Sequence, residues 1–417
     1  MARGNASTAG RCIALGLVAV ILLAVGTVPA RADDAGLPTS LADAVRMERE
    51  NALPRTSFYD TPALAGTKPG DLLRREDAAG YAVPAGTSAV RILYHSQDAD
   101  GRDVATSGVV LVPPGAPPAG GWPVIAWAHG TTGVARQCAP SLEKDLAYGE
   151  EGLMPMVRAG FAIVATDYHG LGTEGPHQYL NKLAQGRDVI NAVPAAREAV
   201  PSLGRKWVVD GHSQGGRAAW SVAELEAGLD DPDYLGAVSV AGASDYREAM
   251  VETHRPGDAG AYLNPYVAYA IRALTPAFDP ADLLQGVALA RYAAVTSEGC
   301  WDYAYAAVLE EKPGSPLKPG WDRNPAVERF LQGTSLGDVP IRGPLLVIAG
   351  ESDRTVPVTA IRTVVRKACG NGIALTLRVY PGLDHDPVMD KSTPDQLAWI
   401  SDRFANKPVA NGCGEVP

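Results

Sequence analysis

A short stretch in the middle of the chain, Gly211-His-Ser-Gln-Gly215, constrains the fold more than any other feature. The preceding run Lys206–Asp210 is typical of a short buried strand, and the small-residue run Gly216–Leu225 that follows is typical of a helix. A G-x-S-x-G turn between a strand and a helix lifts the serine hydroxyl clear of the backbone at one end of a sheet. The five letters alone are weak evidence, and the flanking strand and helix make the pattern specific.

The first 32 residues have the pattern of a cleaved secretion signal. Arg3 and Arg11 precede an apolar run from Ile13 to Gly26, and Ala30-Arg31-Ala32 has the small-x-small pattern of a cleavage site. The apolar run is shorter than the roughly 18–20 residues that a membrane-spanning helix needs. We therefore expect residues 1–32 to be a signal peptide, removed near Ala32, and the mature protein to be secreted.

The charge of the chain argues against nucleic-acid partners. The formal net charge is −10, and loss of the three arginines among residues 1–32 makes the mature protein more acidic still. Binding to phosphate backbones requires clustered lysine and arginine, which an acidic surface does not offer. We therefore expect no nucleic-acid partner.

Four cysteines remain after cleavage, and their number is even. In an exported protein this favours two disulfides, for which four cysteines allow three pairings. Proximity in the sequence favours Cys369 with Cys413 and Cys138 with Cys300. The chain has no C-x-x-C and no H-E-x-x-H spacing, so we expect no metal site.

Apolar, β-branched runs recur along the chain and alternate with helical stretches, which predicts a mostly parallel sheet covered by helices on both faces. The eight predicted strands are Val90–Tyr94, Gly108–Val112, Pro123–Ala128, Phe161–Thr166, Lys206–Asp210, Leu235–Val240, Pro344–Ala349 and Leu375–Tyr380. A turn signal at Asp98–Gly101 predicts an antiparallel hairpin of the first two. A last helix is predicted over Asp395–Phe404, with Ser392 and Thr393 as capping candidates and Pro394 near its first turn.

An insertion interrupts this alternation between the sixth and seventh predicted strands. Residues 247–340 contain helical stretches and many aromatic residues, and they are far longer than an ordinary connection. We interpret them as a helical cap over the carboxyl edge of the sheet, where open α/β folds bind ligands. Residues 90–246 and 341–417 then form the core, and residues 33–89 are an N-terminal extension packed on it.

A serine nucleophile needs a histidine base within hydrogen-bond reach. Of the seven histidines, His385 follows the last predicted strand, at the same edge of the sheet as Ser213. His212 adjoins the serine but would point away from it, and His129 follows the third strand and would shape its loop. His169 and His177 follow the fourth strand, where they could line a pocket. His385 is the predicted base.

The base needs an acid that orients its tautomer and stabilises the imidazolium. Asp353 lies just past the seventh predicted strand, 32 residues before His385. The chain order Ser, Asp, His is the one that a serine on a strand-to-helix turn uses. Asp245, just past the sixth strand, is the alternative, with a role as a helix cap as its other interpretation.

Two backbone N–H groups must stabilise the negatively charged oxygen that forms when the serine attacks a carbonyl. The residue after the nucleophile, Gln214, is the first predicted donor. The second is Thr131, in the loop His129-Gly-Thr-Thr-Gly133 after the third strand, in preference to Thr132.

With these residues in place, the chain resembles an α/β-hydrolase of the secretory lipase family. The resemblance runs from about Val90 to the C-terminus and rests on four motifs, Ala126–Gly133, Ala165–Thr173, Gly211–Gly216 and Gly350–Asp353. It implies a mostly parallel eight-stranded core, a helical cap after the sixth strand, two disulfides, and hydrolysis of carboxylic esters without a cofactor. It also implies Ser213, Asp353 and His385 as the catalytic triad.

The sequence thus predicts a secreted serine hydrolase, a lipase or carboxylesterase, that cleaves small-molecule or lipid esters through an acyl-enzyme, with possible transient contact at a lipid interface. A peptidase or amidase using the same triad is the alternative, with Glu174 near His177 as an anchor for the substrate terminus. A non-catalytic binding protein of this fold is a third possibility.

Overall fold

Nine strands form one continuous sheet in a computed structural model that describes residues 36–252, 261–309 and 315–415. Leu37–Pro417 make up one compact unit, to which all that follows belongs. The strands lie in the order β1-β2-β3-β5-β4-β6-β7-β8-β9. Their bounds are β1 Leu72–Ala78, β2 Ser88–Gln97, β3 Asp103–Val112, β4 Trp122–Ala128, β5 Ala162–Thr166, β6 Leu203–His212, β7 Tyr234–Val240, β8 Leu345–Gly350 and β9 Leu375–Tyr380. The predicted signal peptide lies outside the described residues.

All eight predicted strands are present, and the N-terminal extension adds a ninth. Strand β1 pairs antiparallel with β2, β2 with β3, and β3 with β5, whereas β4 to β9 pair in parallel. The expected number of eight strands is therefore wrong by one edge strand. Strand β1 has one neighbour and four charged residues among its seven, Arg74–Asp77, so its sequence lacks the apolar run that marks the inner strands.

Helices cover both faces of the sheet, as the apolar strands predict. The helices are α1 Leu41–Asn51, α2 Leu153–Arg158, α3 Lys182–Ala199, α4 Gln214–Leu229, α5 Tyr246–Glu252, α6 Asn264–Leu274, α7 Gly286–Ser297, α8 Trp301–Leu309, α9 Pro325–Thr334, α10 Val358–Gly370 and α11 His385–Phe404. Adjacent residues of β6 illustrate the two layers, because Val209 packs with α3, α4 and α10 while Val208 packs with α2 and α11. None of the helices within the described residues is long and apolar enough to cross a membrane.

Helices α5 to α9 lie in the insertion between β7 and β8, the sixth and seventh of the predicted strands. They have an apolar cluster of their own, which includes Tyr266, Leu283 and Phe330. A disulfide joins Cys300, at the start of α8, to Cys138 in the loop after β4. The second disulfide joins Cys369 to Cys413. The structure therefore contains both pairings that sequence proximity favours.

The N-terminal extension contacts the insertion as well as the sheet. Glu48 of α1 accepts hydrogen bonds through Oε1 from the backbone N–H groups of Cys300 and Tyr303, at 2.9 and 2.8 Å. A carboxylate at this position caps the first turn of α8, where N–H groups lack partners within the helix. Helix α1 and the disulfide of Cys300 thus both hold the start of α8.

The last helix begins ten residues earlier than predicted, at His385. Asp384 is its N-cap, and the Asp384 side chain accepts a hydrogen bond from the backbone N–H of His385 at 2.9 Å. Pro394 lies inside the helix, so the expected start around Ser392 and Thr393 is wrong. Thr393 instead donates its hydroxyl to the carbonyl of Met389 at 3.1 Å, as serine and threonine do inside helices.

Candidate active site

Ser213 occupies the turn between β6 and α4 in a backbone conformation that L-residues rarely adopt. Its φ is 57° and its ψ is −119°, a conformation that costs about 1–3 kcal/mol and is concentrated at functional sites. A Cβ on Gly211 would come within 2.7 Å of the Ala128 carbonyl oxygen, and a Cβ on Gly215 would overlap the same oxygen. The two glycines of the motif therefore allow β4 to lie against the turn.

The imidazole of His385 lies between Ser213 and Asp353. His385 Nε2 is 2.9 Å from Ser213 Oγ, and Nδ1 is 2.8 Å from Asp353 Oδ2. A carboxylate can only accept, so Nδ1 carries the proton and Nε2 accepts from the serine hydroxyl. His385 is 7% exposed and Asp353 is 6% exposed. The fold thus brings together the three residues predicted as nucleophile, base and acid.

The Asp353 carboxylate is held by its own loop after β8. Its Oδ1 accepts hydrogen bonds from the backbone N–H groups of Thr355 and Val356, at 2.9 and 2.7 Å, which leaves Oδ2 for His385. The alternative acid, Asp245, instead accepts from the N–H of Glu248 at 2.9 Å in the first turn of α5. Asp245 therefore has the helix-capping role that was its other interpretation.

The environment of His385 favours its protonated form. Burial lowers the pKa of a histidine, but the charge of Asp353 and its hydrogen bond outweigh that effect and raise the pKa of His385 to about 9. Asp386 and Asp384 act in the same direction. The site is therefore arranged to stabilise an imidazolium, the species that forms when the base takes the serine proton.

The two predicted N–H donors lie at this edge of the sheet, Gln214 in helix α4 and Thr131 in a loop. Gln214 is the first residue of α4, where backbone N–H groups lack partners within the helix. Thr131 lies in the loop after β4, and its Oγ1 is 2.8 Å from the hydroxyl of Tyr179. The neighbouring Thr132 is buried and donates its hydroxyl to the carbonyl of Cys138 at 2.6 Å. Thr132 thus anchors the loop, whereas Thr131 and Gln214 stay predictions as oxyanion donors.

His212 packs behind His385 rather than against the serine, as the sequence predicts. Its Nε2 is 3.1 Å from the backbone carbonyl oxygen of His385, and its Nδ1 is 3.0 Å from the Tyr148 hydroxyl. A carbonyl only accepts, so Nε2 donates and Nδ1 accepts from Tyr148. Burial lowers the pKa of His212 well below its usual value, which keeps the ring neutral.

One group of potential metal ligands lies here, formed by His212, His385 and Asp386. Each ring nitrogen of both histidines has a hydrogen-bond partner, so a bound metal would have to break the contacts of His385 with Ser213 or Asp353, or those of His212. The donor set therefore fits the hydrogen-bonded arrangement better than a metal ion.

His169 and His177, predicted as possible pocket residues, are buried and form hydrogen bonds with other residues of the chain. His169 Nδ1 is 2.8 Å from the carboxylate of Asp188. His177 donates from Nδ1 to the carbonyl of His169 at 3.0 Å, and its Nε2 then accepts from Gln214 Nε2 at 3.2 Å. His177 thus orients the side chain of Gln214, a role that the sequence did not indicate. His129 faces the carbonyl of Asp167 at 3.2 Å, in keeping with a role in its loop.

A small pocket adjoins Ser213, with a cavity volume of about 30 Å³. The core and the insertion both contribute walls, which consist of Tyr179, Leu180, Ser213, Gln214, Arg217, Gly242, Ser244, Tyr246, Ala249, Met250, Leu263, Asn264, Thr355 and Val356. A cavity of this size has room for one or two water molecules.

A family model and two curated proteins are similar to this chain in sequence. A family model described as secretory lipase matches residues 282–412. A Mycobacterium tuberculosis protein named "Probable inactive lipase MT1628" is 23% identical over 384 residues, spanning 85% of this chain and 83% of the relative. Lipase 6 of Candida albicans is 22% identical over 391 residues, spanning 85% of this chain and 82% of the relative.

Two solved structures share the architecture. Candida antarctica lipase A in its closed state superposes with a TM-score of 0.71 at 17% identity, covering 88% of this chain and 90% of that one. A ligand-bound Xanthomonas oryzae esterase, described as rice cell wall degrading, gives a TM-score of 0.68 at 18% identity, covering 82% of this chain and 100% of that one. At these identities the likeness establishes the fold. The chain has the α/β-hydrolase fold and, as its motifs predict, resembles the secretory lipases.

Proposed function

We propose that this protein is a secreted serine hydrolase that cleaves carboxylic esters through an acyl-enzyme intermediate. Ser213 Oγ attacks the ester carbonyl while His385 Nε2 takes its proton, and Asp353 stabilises the imidazolium. The backbone N–H groups of Gln214 and Thr131 hold the oxyanion. His385 then protonates the departing alcohol, and a water molecule activated by the same base releases the acid.

The observation that carries this proposal is the position of the His385 ring, within hydrogen-bond distance of both Ser213 and Asp353. This arrangement lies on the strained serine turn, beside a pocket that Ser213 itself lines. One relative is named as a probable inactive lipase. In the present chain, nucleophile, base and acid are all present and in contact, which favours an active enzyme.

The proposal includes export from the cell, with cleavage near Ala32. Two disulfides support it, because such bonds persist in oxidising compartments rather than in the reducing cytosol. N-terminal sequencing of the mature protein from culture medium tests the cleavage. An N-terminus within two or three residues of Asp33 is expected, and protein retained in the cell with Met1 intact would contradict it.

The amidase alternative gains no support from Glu174, its proposed anchor. The Glu174 carboxylate accepts from the backbone N–H of Thr61 at 3.3 Å and lies 3.9 Å from Arg136. Its side chain is 54% exposed, and it is not among the residues that line the pocket beside Ser213.

The function is tested by hydrolysis of p-nitrophenyl esters from acetyl to palmitoyl by the mature protein, beside Ser213→Ala. Wild type should turn over at least part of the series, and the variant should lose activity by several orders of magnitude. The chain-length profile separates lipase from carboxylesterase. Equal inertness of both proteins on every ester would exclude the proposed activity.

A Ser221→Ala variant is a matched control for the loss of a serine. Ser221 lies on the same helix α4 but donates its hydroxyl to the backbone carbonyl of Lys182, outside the residues that line the pocket. Its ester turnover should stay within about two-fold of wild type. The comparison separates removal of the nucleophile from a general effect on α4.

A further inference from the structure

The pocket beside Ser213 contains polar groups that an unsubstituted alkyl chain would leave without partners. Gln214 is 3% exposed and Asn264, at the start of α6, is 1% exposed. Gln214 Oε1 and Asn264 Oδ1 each lack a hydrogen-bond partner within the described chain. Both residues line the pocket. Two buried acceptors without a partner therefore belong to residues of the pocket wall.

The orientation of both amides is fixed by their nitrogens. Asn264 Nδ2 donates to the carbonyl of Ala261 at 2.8 Å, so Oδ1 must be the atom without a partner. Gln214 Nε2 donates to Nε2 of His177 at 3.2 Å, because His177 Nδ1 already donates to the carbonyl of His169. Neither amide can be turned without losing a hydrogen bond. Only a donor on a ligand or a water molecule can hydrogen-bond to the two amide oxygens that lack a partner.

A donor lies in the same pocket. Ser244, which is 2% exposed, accepts a hydrogen bond through Oγ from Arg217 Nη2 at 3.2 Å, and its own proton is then available to donate. Arg217 is 1% exposed, also donates to the backbone carbonyl of Ser244 at 2.7 Å and to that of Thr334, and lines the pocket. Ser244 Oγ therefore offers a proton beside a guanidinium, which suits the lone pairs of a ligand oxygen.

The positive charge of Arg217 has no acid in direct contact among the described residues. The acids that act on it most are Asp245, which caps α5, and Glu224, which is paired with Lys182 at 2.8 Å. The remaining wall is aromatic or aliphatic, with Tyr179, Tyr246, Met250 and Leu263 among its residues. The pocket thus joins an apolar surface to groups that together complement a hydroxyl, which both donates and accepts.

We propose that this pocket binds a free hydroxyl group on the acid or alcohol part of the ester, so that esters with such a hydroxyl are preferred over the matched esters that lack it. The ligand O–H donates to Asn264 Oδ1 or Gln214 Oε1, and its oxygen accepts from Ser244. This proposal rests on the proposed ester hydrolysis. A site that hydrogen-bonds a hydroxyl discriminates against the analogue that lacks it, because the buried acceptors then go unpaired.

The test compares two matched pairs of esters. On the acid side, p-nitrophenyl β-hydroxybutyrate is compared with p-nitrophenyl butyrate; on the alcohol side, monobutyrin is compared with propyl butyrate by pH-stat titration. Wild type should prefer the hydroxylated member of at least one pair by about ten-fold or more in kcat/KM. Asn264→Leu should bring that ratio close to one. A ratio is independent of how much enzyme is folded.

Two further variants keep the test decisive. Ser244→Ala removes the proton donor and should lower the ratio even if Asn264→Leu does not fold. Ser221→Ala, outside the residues that line the pocket, should keep the wild-type ratio. Ratios within two-fold of one for wild type in both pairs would overturn the proposal, as would a preference that neither Asn264→Leu nor Ser244→Ala reduces. Failure to cleave any of the four esters would instead contradict the ester hydrolase itself.

Discussion

The imidazole of His212 donates a hydrogen bond from Nε2 to the backbone carbonyl of His385, 3.1 Å away. The Tyr148 hydroxyl fixes the same ring from its other side, at 3.0 Å from Nδ1. The ring centroids of His212 and His385 are 4.7 Å apart. The second residue of the G-x-S-x-G turn therefore holds the backbone of the proposed base, although it does not touch Ser213.

We expect His212→Phe to lower kcat about five-fold and leave KM close to wild type. The substitution keeps a buried ring but removes the hydrogen bond from Nε2, worth about 1 kcal/mol, that positions the backbone of His385. It also removes the hydrogen bond that Nδ1 accepts from Tyr148. His212→Gln, which can still donate, should recover part of the loss. Steady-state kinetics on p-nitrophenyl butyrate measure both values. An unchanged kcat in His212→Phe would show that this contact does not position the base.

Asp353→Asn should lower kcat by roughly a thousand-fold or more. An amide at this position does not stabilise the imidazolium and permits the wrong tautomer of His385. Asp245→Asn is the matched control, because Asp245 caps α5 and does not contact His385. Activity of Asp353→Asn within ten-fold of wild type would exclude Asp353 as the acid. A large loss in Asp245→Asn without unfolding would instead favour the alternative acid.

The rate of ester hydrolysis should rise with pH well into the alkaline range. The proposed base works only when neutral, and Asp353 raises the pKa of His385 to about 9 despite its burial. We therefore expect kcat/KM to increase with pH above the ordinary histidine value and to level off near that pKa. The profile of residual activity in Asp353→Asn should shift to lower pH. A wild-type midpoint at or below the value of a free histidine would contradict this prediction.

Removal of the disulfide between Cys138 and Cys300 should destabilise the protein by about 2–5 kcal/mol. The bond closes a separation of 162 residues, against 44 for Cys369 with Cys413. A longer closed loop removes more conformational entropy from the unfolded chain. The Cys138–Cys300 bond should therefore stabilise the folded protein by about 1 kcal/mol more than the Cys369–Cys413 bond. Urea unfolding of the two double serine variants measures the difference. A larger loss of stability on removal of the Cys369–Cys413 bond would show that loop entropy does not determine which disulfide stabilises the protein more.

Asp210, on β6 three residues before Ser213, is fully buried, and neither carboxyl oxygen has a well-formed hydrogen bond in the described residues. Burial raises its pKa to about 8. The folded protein therefore keeps a proton that the unfolded chain releases near pH 4, so stability falls as the pH rises between these two values.

Asp210→Asn should remove this pH dependence, because the amide does not ionise. The free energy of unfolding of Asp210→Asn minus that of wild type should increase between pH 4 and pH 8. The increase should be at least about 2 kcal/mol. Parallel stability curves for Asp210→Asn and wild type would contradict the prediction.

The proposed triad was predictable because its residues follow ends of parallel strands. Ser213, Asp353 and His385 come after β6, β8 and β9, whose carboxyl ends lie at one edge of the sheet. The sequence supplied a nucleophile on a recognisable turn and an acid and a base after later strands. Their convergence then followed from the alternation of strands and helices.

The start of α11 was predicted wrongly from local sequence signals. Pro394 is typical of the first turn of a helix, yet it lies in the middle of this one. Asp384, a good N-cap residue followed by an acid in the first turn, was the signal that could have placed the start correctly. Buried contacts of α11 with the sheet, such as those of Val388 and Ile400, outweigh the cost of an internal proline.

The sequence by itself determined the strand-to-helix turn at Ser213, the order of the proposed acid and base, the helices inserted after the sixth predicted strand and the disulfide pairs that proximity favours. These depend on residues close along the chain or on the regular alternation of a parallel sheet. Only the tertiary structure decided that His212 holds His385, that His177 orients Gln214, and that Asn264 faces the serine pocket. Such contacts join segments far apart in sequence, and packing of the inserted helices against the core determines them rather than any local pattern.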